Sequence, residues 1–361
     1  MLIGSIYGWE NGEDDIFNPH SQRNRDNCLE PMRVLQQVAL SQGVELHTAD
    51  VNEKNGVSPD FGLYVESIDF ASPSVKKNYL ILYETPLTVP RNAEYQYLNQ
   101  FDGIFTWNKD LIERGFSDDQ GRAIPAERFI EIFHPNPIPS ECGQDFVSLP
   151  FSQRPDLVCL IGSNRHANAH DDRELYSERV RAVRWFEKHA PGELKLYGNG
   201  WKVPQKRLGK LGKLRYRMEK IYPWITSNPV FPSYQGPATT KHAVLSKTKF
   251  CICFENARDI PGYLTEKIFD CLFAGCIPIY WGEANVADAI PSDCFIDFRK
   301  FADYSALNQF ISTMTAQTFA SYQNASIQFL KSSGFTPYTS ESFAKRIVAD
   351  LKHYWPCNNS L

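Results

Sequence analysis

The chain has 361 residues, 42% hydrophobic and 13% aromatic, with a formal net charge of −4. That length exceeds what one core usually needs, so two domains are expected, and the apolar content excludes a disordered or low-complexity chain. The mild acidity gives no reason to expect general nucleic-acid binding, and no stretch reaches the length of a membrane span.

The opening MLIGSIYGWE is too short and too polar for a signal peptide, which leads to the expectation of a cytoplasmic protein. A first strand is predicted over 2–7, with Gly8-Trp9-Glu10-Asn11-Gly12 as the loop at its carboxyl end. A helix over 31–40 starts on Pro31 and sets Val34, Leu35 and Val38 on one face. Strands follow at 44–48 and at 61–65, the second weakened by Gly62. The run YLILY at 79–83 is the strongest strand of this half and ends on Glu84-Thr85-Pro86. A short helix at 92–100 and strands at 103–107 and 128–133 complete it. Strands alternating with helices predict a doubly wound parallel sheet.

Pro135, Pro137, Pro139, Pro150 and Pro155 cluster without periodicity, so 134–155 reads as an interdomain linker and places the first domain at 1–150. A second α/β domain, 151–340, opens with a strand at 157–161, a long helix near 174–189 and a strand at 194–197. Residues 198–237, rich in Gly, Pro and Trp, read as irregular. A helix near 341–354, in the segment 341–361, is expected to pack back on the first domain. Nine cysteines without a C-x-x-C pair form no regular framework, and Cys251, Cys253, Cys271 and Cys276 fall in apolar runs, as buried thiols of a reducing compartment do.

The most informative stretch is KFCICFENARDIPGYLTEKIFDCLFAGCIPIYWG, 249–282. The apolar run 250–254 has the character of a parallel strand buried on both faces, and it breaks at Glu255-Asn256. A loop with Pro261 and Gly262 leads to a helix start at Thr265-Glu266-Lys267, with Thr265 near the N-cap. Leu264, Ile268, Cys271 and Leu272 follow at helical spacing, Gly275 sits where a C′ glycine belongs, and 277–281 is the next strand. In open α/β sheets ligands bind beyond the carboxyl ends of strands, against helix N-termini that favour anions. This corner holds Glu255, Asn256, Tyr263, Glu266 and Lys267, a carboxylate beside an ammonium that suits an uncharged sugar joined to a phosphate.

At FEN, YLTEKI and GCIPIYWG the sequence resembles the α-1,3/4-fucosyltransferases, glycosyltransferase family 10, closely over 249–301 and loosely elsewhere. The resemblance implies a bacterial-type enzyme of GT-B architecture, two Rossmann-like domains facing across a cleft. It implies GDP-L-fucose as donor, inverting transfer in α-1,3 or α-1,4 linkage to a GlcNAc- or glucose-type residue, and the acceptor in the first domain. A family strand ending on a glutamate base matches Glu84; Glu10 is a weaker rival. Lys267 matches the diphosphate ligand and Glu266 a group facing the sugar, where the local pattern alone reads as a capping carboxylate and a solvated lysine. Glu255, Asn256, Tyr263 and Thr265 match the donor site, although Glu255 reads equally as a structural carboxylate. The family's diphosphate arginine comes from the helix after the second domain's first strand. Its apolar face favours Arg179 over Arg181 and Arg184, with Arg173 still open. Ala257-Arg258 departs from the small polar pair common in the family, which bears on the donor sugar.

His166 and His170, followed by Asp171-Asp172, have metal-like i, i+4 spacing, but their context reads as a loop. The chain has no Asp-x-Asp, so neutralisation by Arg and Lys without a metal or other cofactor is expected. The run 206–220 holds seven basic residues against Glu219 alone. It reads either as a solvated loop face or as a contact for anionic lipid or a lipid-linked acceptor, given the interleaved Leu208, Leu211, Leu214 and Met218. The rival functions are transfer from another nucleotide sugar and a non-catalytic two-domain sugar-binding protein. A nicotinamide dehydrogenase is disfavoured because no G-x-G-x-x-G follows an early strand.

Overall fold

The computed structural model describes residues 1–8, 12–66, 71–72, 75–143, 145–226 and 229–354, with no side-chain description for 222–226 and 354. Glu10 lies outside the described residues. The chain divides into two compact units, 1–137 with 335–361, and 138–334.

In the first unit six parallel strands, β1 (Leu2–Tyr7), β2 (Val44–Thr48), β3 (Phe61–Val65), β4 (Lys77–Leu82), β5 (Gly103–Thr106) and β6 (Phe129–Glu131), form a sheet in the order β2-β1-β3-β4-β5-β6. Gly62 does not interrupt β3, because the Tyr64 ring and Asn78 occupy the space a Cβ would need. One face of the sheet is covered by the helices Glu30–Ser41 and Ser340–Tyr354, through Leu35, Ala39, Phe343, Ile347, Val348 and Leu351. The other packs Leu80, Leu82 and Ile104 against Tyr97, Leu98 and Phe101. Coverage on both faces explains why β4 reads as a continuous apolar run.

The second unit repeats the plan with β7 (Asp156–Ile161), β8 (Leu194–Tyr197), β9 (Tyr234–Gly236), β10 (Thr248–Phe254), β11 (Ile277–Trp281) and β12 (Ile296–Asp297), ordered β9-β8-β7-β10-β11-β12, all parallel. Helix Tyr176–His189 follows β7, and helix Glu266–Phe273 connects β10 to β11.

Three features differ from the sequence expectations. The units divide at Pro137/Ile138, because Cys142 and Phe146 bury against Phe273 of the second unit. The first unit resumes at Phe335, whose neighbour Tyr338 packs on Phe133 and accepts the Asn136 N–H. Residues 209–226, read as irregular, form an 18-residue helix. Within the presumed linker, Arg154 is buried, and its guanidinium donates to the carbonyls of Leu149, Leu245, Thr248 and Ala274. That satisfies a buried charge and the C-terminal end of helix Glu266–Phe273 together.

Candidate active site

In the second unit the candidates gather at the carboxyl ends of β10 and β11. Glu255 leaves β10 wholly buried. Its Oε1 accepts the Thr265 N–H at 3.0 Å, and its Oε2 accepts the Thr265 hydroxyl at 2.7 Å and Lys267 Nζ at 3.0 Å. Thr265 is the N-cap residue, but its side chain caps no helical N–H. The Glu255 carboxylate instead anchors the helix start from the neighbouring strand, favoured by the positive helix end. Room for it comes from Gly282, where a Cβ would sit 2.5 Å from Glu255 Cγ and 2.4 Å from the Tyr280 hydroxyl.

Lys267 keeps 23% of its side chain exposed while paired to the buried Glu255. Burial disfavours its charge, but the Glu255 and Glu266 carboxylates outweigh that and hold its pKa above the ordinary lysine value. The ammonium is therefore held in place and charged, on a side chain that is not wholly buried. Glu266, 35% exposed, lies 4.0 Å from Lys267 Nζ and 3.5 Å from Lys241 Nζ.

Arg179 is buried, with Nε and Nη2 donating to the Phe254 carbonyl at 3.2 and 2.7 Å and Nη2 to Asn256 Oδ1 at 2.9 Å. Asn256 returns its own carbonyl to the Leu175 N–H, tying β10 to the entry of the arginine's helix. The other three arginines stand elsewhere. Arg173 is paired with Asp171, Arg181 with Glu178, and Arg184 with Glu187 while lying over the Phe231 ring. Tyr263 is buried in the loop before the helix. Hydrogen bonds, ion-pair distances and chain adjacency thus link Arg179, Asn256, Glu255, Thr265, Lys267 and Glu266, with Tyr263 in the intervening loop. His166, His170, Asp171 and Asp172 line a separate cavity of about 750 Å³ with Glu178, Arg181 and Arg258, and no group of three metal-ligating side chains occurs among the described residues.

Glu84 stands in the first unit, two residues beyond β4, partly exposed. Its backbone is clamped. Both carboxylate oxygens of Glu66 accept the Glu84 N–H at 3.1 Å, and Asn92 Nδ2 donates to the Glu84 carbonyl at 2.9 Å and to Glu66. The Trp107 indole holds the preceding carbonyl, of Tyr83, at 2.8 Å. Asn92 Oδ1 and Thr85 Oγ1 are buried there with no hydrogen-bond partner among the described residues. Burial raises the Glu66 pKa to about 7, with the Glu84 carboxylate adding to the rise against the hydrogen bonds that lower it. Sequence reasoning missed Glu66, since no motif marks it; only the pairing of Val65 with Ile81 brings it beside Glu84.

Comparison with known proteins agrees with this geometry. Residues 151–325 match the family described as glycosyltransferase family 10 (fucosyltransferase) C-term. Over those residues the chain carries the C-terminal region of a family 10 glycosyltransferase. An alpha-(1,3)-fucosyltransferase of Helicobacter pylori is 39% identical over 71 residues, 20% of this chain and 15% of that protein. An alpha-(1,4)-fucosyltransferase of Arabidopsis thaliana is 36% identical over 73 residues, 20% of this chain and 18% of that protein. The matched segment thus spans less than a fifth of the length of these curated relatives. A crystal structure of alpha1,3-fucosyltransferase superposes with a TM-score of 0.51 at 17% identity, covering 99% of this chain and 91% of that one. At that identity the likeness is one of fold, two Rossmann-like units each built on a six-stranded parallel sheet.

Proposed function

We propose that this chain is an inverting family 10 fucosyltransferase that takes L-fucose from GDP-fucose and forms an α-1,3 or α-1,4 linkage to a GlcNAc- or glucose-type residue of a surface glycan. The observation that carries the reading is Lys267, held charged by buried Glu255 at a helix N-terminus, next to a strand end where Arg179 and Asn256 are joined. Such a corner favours a diphosphate. Lys267 and Arg179 neutralise the phosphates; Asn256, Tyr263 and Thr265 line the donor; Glu255 acts by holding Thr265 and Lys267; Glu266 faces the sugar.

Glu84 takes the acceptor hydroxyl's proton. The hydroxyl oxygen attacks the anomeric carbon, the carbon–oxygen bond to the β-phosphate breaks, and GDP leaves with the bonding pair, inverting the centre. The acceptor is an oligosaccharide or lipid-linked glycan, and the eight described cysteines, all free and seven buried, suit cytoplasmic residence.

Incubating the purified chain with GDP-fucose and a panel of GlcNAc- and glucose-containing oligosaccharides tests the reading. Acceptor-dependent GDP release with a fucosylated product is expected. Turnover only with another nucleotide sugar would change the donor, a reading to which the Ala257-Arg258 departure points. Binding without turnover would make this a sugar-binding protein.

A further inference from the structure

We infer that the helix Gly209–Thr226 is a docking surface for an anionic lipid bilayer, independent of the identity of donor or acceptor. The helix carries two parallel stripes. Leu211, Leu214, Met218 and Ile221 recur at intervals of three, four and three, which aligns them along one face. They are exposed by 84%, 55%, 66% and 54%. Four of the eleven exposed large apolar side chains among the described residues thus lie on one helix face, where scattered single ones would need no explanation.

The second stripe is basic. Each apolar residue is preceded by a cation: Lys210 before Leu211, Lys213 before Leu214, Arg217 before Met218 and Lys220 before Ile221. The same spacing therefore repeats one helical step, about 100°, around the axis. All four cations are exposed, and none has a carboxylate partner among the described residues. The helix's one acidic residue does not oppose them. Glu219 is turned toward the protein with Tyr216 and Gly212, less exposed than the stripes, and accepts from Arg207 at 3.1 Å and Arg215 at 2.8 Å.

An apolar stripe edged by unpaired long cations is the arrangement that lies in a membrane interface, with hydrocarbon below the headgroups and the charged ends reaching up to phosphates. Charge complementarity selects an anionic surface. The chain as a whole carries −4, so the four clustered cations form a local reversal that also sets orientation. No described helix is long and apolar enough to cross a membrane, so contact is lateral.

Flotation of the full chain with 100-nm vesicles tests this. Binding is expected with phosphatidylcholine containing about 30% phosphatidylglycerol, at least tenfold weaker with pure phosphatidylcholine, and reduced by raised salt. Lys213→Glu/Arg217→Glu and Leu214→Gln/Met218→Gln should each lower binding at least tenfold while circular dichroism and GDP affinity stay unchanged. Equal flotation with both vesicle types, or retention of binding by both double variants, would overturn the proposal. So would a concentration-dependent dimer lost in Leu214→Gln/Met218→Gln without vesicle binding, which would make the face a contact with a second copy. Binding to a DNA oligonucleotide without vesicle binding would likewise overturn it.

Discussion

Glu66 holds Glu84 by its backbone: both oxygens of one carboxylate accept the N–H of the residue that carries the other. Two carboxylates from adjacent strand ends are thereby placed side by side, and the buried one shifts up to about 7. Among the described residues, the groups that act on Glu66 are Glu84, Asn92 and the backbone of Tyr83, none of them a cation.

The first prediction follows from that shift. A carboxyl with a folded pKa of about 7 against an ordinary 4.5 binds more protons in the folded chain than in the unfolded one between those values. Its contribution to stability is therefore fully present below about 4.5 and is lost as pH rises through about 7. Glu66→Gln keeps an acceptor for the Glu84 N–H but cannot ionise. Denaturant melts at pH 5 and pH 8 should show the wild-type stability difference shrinking in the variant, by at most about 3 kcal/mol at 1.36 kcal/mol per pH unit. An unchanged difference would mean that Glu66 is ionised throughout.

The second prediction concerns the cations proposed for the diphosphate. Lys267→Ala and Arg179→Ala should each weaken GDP binding about tenfold to a hundredfold, the worth of a charge-assisted contact of about 1.5–3 kcal/mol. Lys267→Ala also leaves Glu255 buried without its countercharge, so its stability should fall by roughly 3–5 kcal/mol. Arg179→Lys retains charge but loses the fork that reaches Phe254 O and Asn256 together. Calorimetry on folded protein decides. Unchanged GDP affinity would remove that residue from the site.

Much of this was legible in the sequence, and the reasons for the rest are local. Both strands of 249–282 are evident because both faces are apolar and glycine and proline mark their ends. The helix over 209–226 is hidden by Gly209, Gly212 and Pro223, which break a propensity reading, although its stripes kept the 3.6-residue period. Arg154 lies between prolines and gives no local sign that carbonyls from two distant segments join that of nearby Leu149 around it. Glu66 could not be found by motif, since its role depends on the β3–β4 register. The roles proposed for Glu84 and the donor cluster rest on strand context and the family resemblance, whereas their clamps are seen only in the structure.

The third prediction concerns divalent metal. Lys267 and Arg179 are proposed to neutralise the departing diphosphate, and the chain lacks an Asp-x-Asp pair to hold an ion on it. Transfer should keep most of its rate in EDTA. Complete loss, with recovery on adding manganese or magnesium, would show that the side-chain charges are insufficient and would direct attention to Asp171 and Asp172.

The fourth prediction separates the two sides of the reaction. Glu84 stands in the first unit and is proposed to touch only the acceptor. Glu84→Gln preserves shape, and the Glu66–Asn92 clamp acts on the backbone of this residue, so the substitution leaves it in place. GDP-fucose affinity should stay near wild type while transfer falls by about 10²–10⁴, the usual worth of a positioned base. Glu266→Gln should behave in the opposite sense. Its carboxylate lies within reach of Lys267 and Lys241 at the donor corner, so affinity for intact GDP-fucose should suffer more than affinity for GDP. Loss of one carboxylate beside Lys267 also lowers the lysine's pKa, which adds a small loss of GDP affinity at high pH. Equilibrium binding of GDP and GDP-fucose, with single-turnover transfer rates for both variants, distinguishes these patterns. A near-normal rate in Glu84→Gln would take the base role from Glu84 and give Glu10 the next test. Loss of GDP binding in that variant would instead put Glu84 on the donor, and the roles assigned to the two units would exchange.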